Sequence, residues 1–493
     1  MPDMSTEKVV TRFAPSPTGF MHIGGVRTAL FAYLWARKNS GTFILRIEDT
    51  DKEREVAGSI DHIQQALAWL GIEWDFGPKK PGPFGSCIQS ERLAIYKEFA
   101  EKLAAAGHAY PDPYTPAEVD AFRKQSEAAK KPFLFRDFRP ATFGAWDGKQ
   151  TLRLKVPEIK RFKWHDAVRG DLEAGEEALD DFVLMKADGY PTYNFAHIID
   201  DHLMGVTHVM RGDEFISSTP RFLSLYQALG FTPPIFVTLP PILRDDRTKK
   251  LGKRDGAKDV LEYRIEGYLP EAMANFLAFI GWNPGTEEEV FTMKELINRF
   301  EIEKIHKAGG AYNEEKLAWF NRQHLLRLSD ESFAEHAATF LPDSISTTSA
   351  IFSRLLPVMR DKITLFNEIS ALFHPEGELH FVTTSPDYPA DRLLWKKNPS
   401  RETAGKHLTE ARKLLAGMPA GEFDGNPTEA ADKIKAAVFP YAEANGRGDV
   451  LWPLRVALTG QDKSPDPFMS AAILGQQESL RRIDLALTKL SAS

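Results

Sequence analysis

The chain has 493 residues, of which 43% are hydrophobic and 27% charged, and its formal net charge is -7 at pH 7. This length exceeds what one hydrophobic core supports, so we expect a globular protein of roughly three or more domains. No apolar run approaches the roughly 20 residues of a membrane span, and the first ten residues lack the apolar segment of a signal peptide. The single cysteine, Cys87, excludes an intrachain disulfide and a multi-cysteine zinc site. We therefore expect a cytoplasmic protein that binds no membrane, and the net charge does not exclude RNA contact through local basic faces.

The N-terminal segment alternates strand and helix patterns. Residues 9–13 form a β-branched run that ends in a loop, residues 14–19, whose prolines and glycine forbid both strand and helix. Apolar residues recur at helical spacing over 26–34, and Gly41 stands where a helix would end. Residues 42–47 predict a second strand. This order predicts an α/β fold with a Rossmann-like, doubly wound parallel sheet, whose ligand crevice lies at the strand ends.

The loop before the first helix carries a phosphate-binding pattern. Backbone amides and the helix dipole hold anions at a helix N-terminus, and Gly24 and Gly25 allow close approach there. His22, just before them, can donate a hydrogen bond to a phosphate. For this short string taken alone, a surface histidine followed by a simple turn is the alternative.

The wider string around His22 is more specific. Residues 15–25 read PSPTGFMHIGG, which resembles the HIGH signature of class I aminoacyl-tRNA synthetases in the PSPTG form of glutamyl-tRNA synthetases. Glutaminyl relatives usually read PEPNG at this place. The resemblance implies an enzyme of the bacterial glutamyl type. Such an enzyme activates L-glutamate with ATP, releases pyrophosphate and transfers glutamate to the 3'-terminal adenosine of tRNA(Glu).

A basic loop far downstream resembles a second motif of the same class. Residues 247–256 read RTKKLGKRDG, a string that alone is usually a solvated charge run. Its KLGKR core, residues 250–254, resembles the KMSKS loop. Attack of a carboxylate on the α-phosphorus of ATP expels pyrophosphate, so mobile lysines and Mg2+ can meet the negative charge that grows on the leaving group.

The resemblance implies a role for each of the following residues. The implied catalytic residues are His22, Lys250 and Lys253. The implied ATP-binding residues, which act with Mg2+, are Pro15, Thr18, Gly19, His22, Gly24, Gly25, Glu214, Lys250, Lys253 and Arg254. The implied glutamate-binding residues are Arg12, Ala14, Ser16, Glu48, Tyr193, His197 and Arg211.

A glutamate pocket must pair one ammonium and two carboxylates, and the planar guanidinium fork suits a carboxylate. By resemblance, Arg12 lies near the side-chain carboxylate of the substrate, and Ser16 and Glu48 lie near its amino group. Tyr193 and Arg211 lie at the far end of the site. The alternative is that Arg12 and Glu48 pair with each other across neighbouring strands. Neutral glutamine would offer Arg12 no charge, so we expect the pocket to reject it.

Further segments extend the resemblance along nearly the whole chain. They read RIEDTD at 46–51, QSER at 89–92, DGYPTYN at 188–194, DDHLMG at 200–205, RGDE at 211–214, KLAWFN at 316–321 and LRVALTG at 454–460. The implied domains are a first catalytic half at 1–110, an inserted acceptor-end-binding domain at 111–188, a second catalytic half at 189–215, a stem-contact region with the lysine loop at 216–325 and an all-α anticodon-binding region at 326–493. Apolar residues at helical spacing support the last of these, at Ala404, Leu408, Ala411, Leu415 and Met418 and at Leu480, Ile483, Leu487 and Leu490.

The segment 111–188 interleaves basic residues with aromatic ones. The aromatic residues are Phe133, Phe135, Phe138, Phe162 and Trp164. Stacking aromatics and cations suit a single-stranded RNA end, and an ordinary aromatic core explains the same residues. Some relatives hold zinc here through several cysteines, which this chain lacks, so we predict no zinc site.

Three positions depart from the motif ideals. Gly25 replaces the last histidine of HIGH, Gly252 replaces a serine of the lysine loop, and His197 stands where some relatives have asparagine. We expect a monomer, and the sequence leaves open whether tRNA(Gln) is also charged.

Four rival functions remain open at this stage. They are a glutaminyl enzyme, a short tRNA-modifying paralogue, a non-catalytic RNA-binding descendant and a small-molecule nucleotidyltransferase. The motif PSPTG argues against the first. The long C-terminal region argues against the second and the fourth. The retention of His22, Lys250 and Lys253 argues against the third.

Overall fold

A computed structural model of the chain describes residues 8–252 and 258–492. Its described residues form two compact units. The first comprises the residues up to 262 together with 270–317, and the second comprises 263–269 together with the residues from 318 onward. The predicted Lys253 and Arg254 lie outside the described residues.

The first unit contains every strand of the described chain. The strands are β1 (Val10–Phe13), β2 (Thr42–Leu45), β3 (Ala109–Pro111), β4 (Leu152–Leu154), β5 (Phe162–Asp166), β6 (Gly170–Ala174), β7 (Val183–Met185), β8 (His208–Gly212), β9 (Ile235–Leu239), β10 (Ile242–Leu243) and β11 (Gly310–Ala311). The helices that begin in this unit are α1 (Ile23–Lys38), α2 (Ser59–Trp69), α3 (Leu93–Ala105), α4 (Pro116–Ala128), α5 (Tyr193–Leu203), α6 (Thr219–Leu229), α7 (Val260–Ile265), α8 (Pro270–Phe279), α9 (Met293–Arg299) and α10 (Glu314–Arg327).

The main sheet has six strands in the order β2-β1-β8-β9-β5-β6. All neighbours are parallel except β5 and β6, which form an antiparallel hairpin at one edge. This confirms the predicted Rossmann-like parallel sheet. The chain crosses from β1 to β2 through α1, whose buried face includes Val26, Leu30 and Leu34. Gly41 follows the helix where a side chain would collide with the carbonyl oxygen of Val9.

The segment predicted as an insertion, 111–188, contributes to two sheets. β3, β4 and β7 form a separate antiparallel sheet, whereas Asp166 of β5 pairs with Phe236 of β9 in the main sheet. β9 itself lies within the predicted stem-contact region 216–325. The main sheet therefore combines strands from four of the predicted segments.

The second unit contains helices and no strand within its described residues. Its further helices are α11 (Asp330–Ala337), α12 (Ala350–Lys362), α13 (Glu368–Phe373), α14 (Arg401–Ala416), α15 (Pro427–Asn445), α16 (Arg447–Thr459), α17 (Pro467–Leu474) and α18 (Gln476–Ser491). α14 packs on α16 and α18, and α15 packs on α17. The predicted apolar face of α14 is buried at Ala404, Leu408, Ala411 and Leu415. On α18, of the four predicted residues only Ile483 is fully buried.

Candidate active site

The nucleotide loop, residues 14–22, joins the end of β1 to the start of α1. His22 is the N-cap residue of α1, and its Nδ1 accepts a hydrogen bond of 3.1 Å from the backbone amide of Gly24. A neutral imidazole that accepts at Nδ1 carries its proton at Nε2, which makes Nε2 the donor. The loop thus presents the positive end of a helix together with an imidazole donor, an arrangement that can bind phosphate.

A cleft of about 450 Å3 opens along this loop. Eight of the predicted ATP-binding residues line it: Pro15, Thr18, Gly19, His22, Gly24, Gly25, Glu214 and Lys250. Arg27 and Asp213 line it as well, and the sequence analysis did not single them out. The guanidinium of Arg27 donates to the backbone carbonyls of Pro240 and Ile280, so it holds the Pro240 wall of the cleft.

Lys250 faces Glu214 across the cleft. The Nζ of Lys250 lies 3.0 Å from Oε2 of Glu214, and both side chains are more than half exposed, at 57% and 52%. Partial burial raises the pKa of Glu214, but hydrogen bonds from its own backbone amide and from Lys250 outweigh it, so the pKa is lowered. An ion pair this exposed is weak, so an incoming phosphate can compete for the lysine.

A second cleft, of about 720 Å3, shares Ser16 and Thr18 with the first. It is also lined by Glu48 and Tyr193, two of the predicted glutamate-binding residues. Ala14 is half-buried and lines neither cleft. The remaining predicted residues of this group are buried: Arg12, His197 and Arg211.

The buried side chain of Arg12 is held by a carboxylate of α5. Its Nε and Nη2 donate to the two oxygens of Asp201 at 3.0 and 3.3 Å. Arg46 donates from Nη1 to the same carboxylate at 2.7 Å and from Nη2 to Glu48 at 2.9 Å. The alternative pairing of Arg12 with Glu48 is therefore wrong, because each has a different partner. Nη1 of Arg12 has no hydrogen-bond partner among the described residues.

A second carboxylate of α5 extends this network. Asp200 accepts hydrogen bonds from Arg92 Nε at 2.9 Å, from Gln89 Nε2 at 2.9 Å and from the hydroxyl of Tyr96 at 2.8 Å. Arg46 Nε lies 3.9 Å from the same carboxylate. Asp200 and Asp201 of α5 thus bind Arg12 on β1, Arg46 just after β2 and Arg92 just before α3.

Arg211, at the end of β8, is buried among aromatic rings. Its guanidinium carbon lies 4.8 Å from the ring centre of Phe222, 5.1 Å from that of Phe236 and 5.4 Å from that of Phe215. Among the described residues, its side chain makes one hydrogen bond, from Nη2 to Thr219 Oγ1 at 3.2 Å. Burial lowers the pKa of Arg211. Within residues 8–252 and 258–492 it forms no ion pair, so this buried cation lacks a protein anion.

The buried charges of this cluster do not cancel. Its cations are Arg12, Arg46, Arg92 and Arg211, and its anions are Glu48, Asp200 and Asp201. His197 adds no charge, because burial lowers its pKa to about 3. Burying net charge is costly unless a partner compensates it. The cluster, which we call the arginine cluster, therefore carries a net positive charge and favours a ligand with a net negative charge.

The carboxyl groups of the arginine cluster titrate differently. Burial raises the pKa of Glu48 to about 7, although Arg46 and Arg12 oppose the shift. Burial also acts on Asp201, but there Arg12 and Arg46 dominate and hold its pKa well below the usual range. Asp201 is thus ionised at neutral pH, whereas Glu48 lies near its midpoint.

His197 is fixed by Tyr193, one turn earlier on α5. Its Nδ1 lies 2.7 Å from the backbone oxygen of Tyr193, so Nδ1 carries the proton and Nε2 is the acceptor. The two rings stack with their centres 4.6 Å apart, and Phe222 meets the imidazole edge-on at 4.7 Å. His197 stands where some relatives have asparagine. In this chain that position therefore holds a neutral imidazole, whose Nε2 is an oriented hydrogen-bond acceptor beside Tyr193.

Sequence reasoning missed Asp201, Asp200 and Arg46 as members of the site. All three lie inside the motifs RIEDTD and DDHLMG, but those motifs do not indicate which charged residues pair with one another. The signal in the sequence was the acidic pair Asp200 and Asp201, which directly follows the apolar residues Ile198 and Ile199. Two adjacent acids in a buried stretch require cations as partners.

The aromatic residues of 111–188 mostly pack on one another. Phe138 stacks on Phe122 at 4.4 Å and lies 5.8 Å from Phe133, and Phe135 is 2% exposed. For Phe133, Phe135 and Phe138 the structure favours the aromatic-core alternative over an RNA platform. No three His, Cys, Asp or Glu side chains within the described ranges are grouped as a metal site requires. No helix in the described part of the chain is both long and apolar enough to span a membrane.

Comparisons with known proteins cover almost the whole chain. Residues 8–319 match the family model "tRNA synthetases class I (E and Q), catalytic domain", and residues 332–487 match "Anticodon binding domain". The chain is 39% identical to a glutamate-tRNA ligase of Clostridium botulinum over 497 residues, with 99% of each chain covered. It is 38% identical to that of Dehalococcoides mccartyi, covering 99% and 98%. A crystal structure of a glutamate tRNA ligase from Elizabethkingia meningosepticum, in complex with its amino acid, superposes with a TM-score of 0.84 at 35% identity, covering 98% of this chain and 100% of that one.

Proposed function

The chain belongs to the class I tRNA synthetases for glutamate and glutamine, and from that membership we propose that it is a glutamate-tRNA ligase. It activates L-glutamate with ATP to glutamyl-adenylate, releases pyrophosphate and transfers glutamate to the 3'-terminal adenosine of tRNA(Glu). The two clefts that share Ser16 and Thr18 give adjacent places for a nucleotide and an amino acid.

ATP occupies the cleft along the nucleotide loop in this proposal. The amides at the start of α1 and Nε2 of His22 hold its phosphates, and Lys250 exchanges Glu214 for the pyrophosphate as charge grows there. Lys253 and Arg254 act with Lys250. Asp213 and Glu214 line the same cleft, and one or two carboxylates with phosphate oxygens suit Mg2+, which supplies further charge neutralisation when bound.

The single observation that carries glutamate as the substrate is the unbalanced charge of the arginine cluster. L-glutamate has two carboxylates and one ammonium, hence one net negative charge, whereas glutamine has none. Arg12 through Nη1, together with Arg211, binds the carboxylates, and Glu48 and Ser16 receive the ammonium. Tyr193 and His197 complete the pocket beside Arg211, and Ala14 flanks it. A buried cation left without its anion disfavours glutamine.

The tRNA contacts extend beyond these clefts. We propose that 111–188 meets the acceptor end, that 216–325 contacts the stem and that the helical region from 326 reads the anticodon, in line with the second family model. The second unit has its own cleft of about 340 Å3, lined by His380, Arg392 and Lys463 among others. Its lining also contains the acids Glu376, Asp387 and Asp462, so the proposed anticodon contact rests on the family model and not on the charge of this cleft. We further propose a cytoplasmic monomer.

A charging assay tests the proposal. The protein is incubated with ATP, Mg2+ and labelled L-glutamate, and acid-precipitable label is measured on purified tRNA(Glu) and tRNA(Gln). We expect label on tRNA(Glu) that depends on ATP. Absence of charging on both tRNAs would contradict the proposal, and label on tRNA(Gln) would widen its tRNA specificity.

A further inference from the structure

Helix α2 supports the nucleotide loop from one side. Ser59, at its start, donates from Oγ to the backbone oxygen of Gly19 at 2.7 Å. One turn later, His62 accepts from the backbone amide of Met21 at its Nδ1, at 3.3 Å. These two bonds attach the loop just before His22, the predicted phosphate donor.

The other nitrogen of the same imidazole reaches Asp259. Nε2 of His62 lies 2.8 and 2.7 Å from the two carboxylate oxygens of Asp259. Because Nδ1 accepts from Met21, the neutral imidazole carries its proton at Nε2 and donates it to Asp259. His62 thus forms hydrogen bonds with the nucleotide loop on one side and, on the other, with Asp259, which follows the basic loop 247–256 in the chain.

Asp259 fixes the downstream end of that basic loop. Its Oδ1 accepts from the amide of Leu261 at 2.9 Å, and the next residue, Val260, donates its amide to the oxygen of Met21 at 2.9 Å. The upstream end is attached separately, by the amide of Leu251 to the oxygen of Ile242 at 2.8 Å. These contacts therefore hold the chain on both sides of residues 252–258, and Lys250 lies just before the upstream contact.

The pair of His62 and Asp259 is largely shielded from solvent. The side chains of His62 and Asp259 are 11% and 20% exposed, so solvent screens their contact less than that of a surface pair. The ring of Phe20, itself half exposed, stacks on the imidazole with centres 4.6 Å apart and planes at 24°. Three groups, an amide, a carboxylate and a ring, thus fix the orientation of His62.

We propose that His62 is a positioning residue, which aligns the basic loop with the nucleotide loop through Asp259 so that the lysines meet the pyrophosphate. The proposal rests on the function given above. A positioning role predicts a loss in the rate of adenylate formation, whereas the binding of glutamate, which other residues contact, is unchanged.

Pyrophosphate exchange with glutamate, ATP and tRNA(Glu) tests it. We expect His62→Ala to lower kcat about 10-fold with the KM for glutamate within about twofold of wild type. His62→Gln, which keeps a donor at the position of Nε2, should recover most of the rate. Asp61→Asn, an exposed change on the same helix, is the matched control and should leave kcat unchanged.

A double-mutant cycle with Asp259→Ala separates alignment from general damage. If the two residues act as a unit, the double variant loses about the same 10-fold as either single variant. The proposal would be overturned if the double variant lost kcat by the product of the two single losses. A normal kcat in folded His62→Ala would also overturn it. If His62→Ala fails to fold, the same comparison is made with Asp259→Asn and His62→Phe, which keeps a ring but removes both ring nitrogens. An inactive wild-type protein would instead contradict the ligase function itself.

Discussion

Asp201 accepts hydrogen bonds from both Nε and Nη2 of Arg12, at 3.0 and 3.3 Å, so the residue expected to read the substrate carboxylate is itself held by a carboxylate. Arg46 donates to the same group at 2.7 Å. This arrangement fixes the guanidinium of Arg12 before substrate arrives and leaves its Nη1 for the ligand. Asp201 is thus central to both the stability and the charge of the arginine cluster.

Asp201→Asn should therefore lower both the free energy of unfolding and kcat/KM for glutamate. The amide keeps the volume but removes a buried charge between two arginines, which costs about 3 kcal/mol in the free energy of unfolding. Urea denaturation and kcat/KM for glutamate measure the two effects. Asp171→Asn is the control, because the side chain of Asp171 is 95% exposed beside His165 and should matter to neither. An Asp201 variant with wild-type stability would contradict the pairing described here.

Glutamate binding should weaken as the pH falls through about 7. The pKa of Glu48 is raised to about 7 by burial, so acidification protonates the group that receives the substrate ammonium. Arg46 stays charged because its pKa is raised, Asp201 stays ionised because its pKa is lowered, and His197 stays neutral because its pKa is about 3. Below pH 7, the dissociation constant should rise by up to about 10-fold per pH unit, since each unit changes the ionised fraction by that factor.

Calorimetric titration of glutamate between pH 6 and pH 8 measures this dependence. Glu48→Gln should bind more weakly at pH 8 and show no such dependence, because its amide does not titrate in this range. An equal pH dependence in wild type and variant would assign the titration to another group.

Lys253→Ala should lower the rate of adenylate formation about 100-fold with little change in glutamate affinity, as expected for loss of one transition-state donor. Single-turnover measurement with tRNA(Glu) present gives the rate. Lys249→Ala removes a charge from the same basic loop but from outside the KLGKR core, and should have a much smaller effect. A Lys253 variant with a wild-type rate would remove this lysine from the mechanism.

The protein should contain no tightly bound zinc. Residues 111–188 lack cysteine. Their buried Asp181 accepts instead from Arg139 Nε at 2.6 Å, from Arg139 Nη2 at 2.7 Å and from the hydroxyl of Tyr110 at 2.9 Å. Elemental analysis of protein purified without chelator checks this. One zinc per chain would contradict the prediction.

The local features of the site could be predicted from the sequence because they depend on neighbouring residues. The prolines of 14–19, the glycines at 24–25 and the spacing of 26–34 determine strand, loop and helix within one short segment. The structure has these elements as β1, the nucleotide loop and α1. The family motifs then added roles that spacing alone does not give.

The ion pairs could not be predicted because they join residues far apart in the chain. Arg12 lies on β1 and its partner Asp201 on α5, and His62 lies on α2 and its partner Asp259 just before α7. Which of several acids meets a given arginine depends on how the elements pack, and the one ion-pair partner considered for Arg12 from the sequence was Glu48. The same limit applies to β5, whose pairing with β9 places part of the insertion in the main sheet.

The most direct test of the central claim, that the net charge of the arginine cluster selects glutamate, is the ratio of kcat/KM for L-glutamate to that for L-glutamine. It is measured by pyrophosphate exchange with the wild-type protein and tRNA(Glu). Glutamine keeps an amide oxygen but lacks the charge, and a lost charge-assisted hydrogen bond of about 3 kcal/mol lowers kcat/KM by roughly 100-fold. We predict a ratio of at least about that size. Comparable values for the two amino acids would contradict the account.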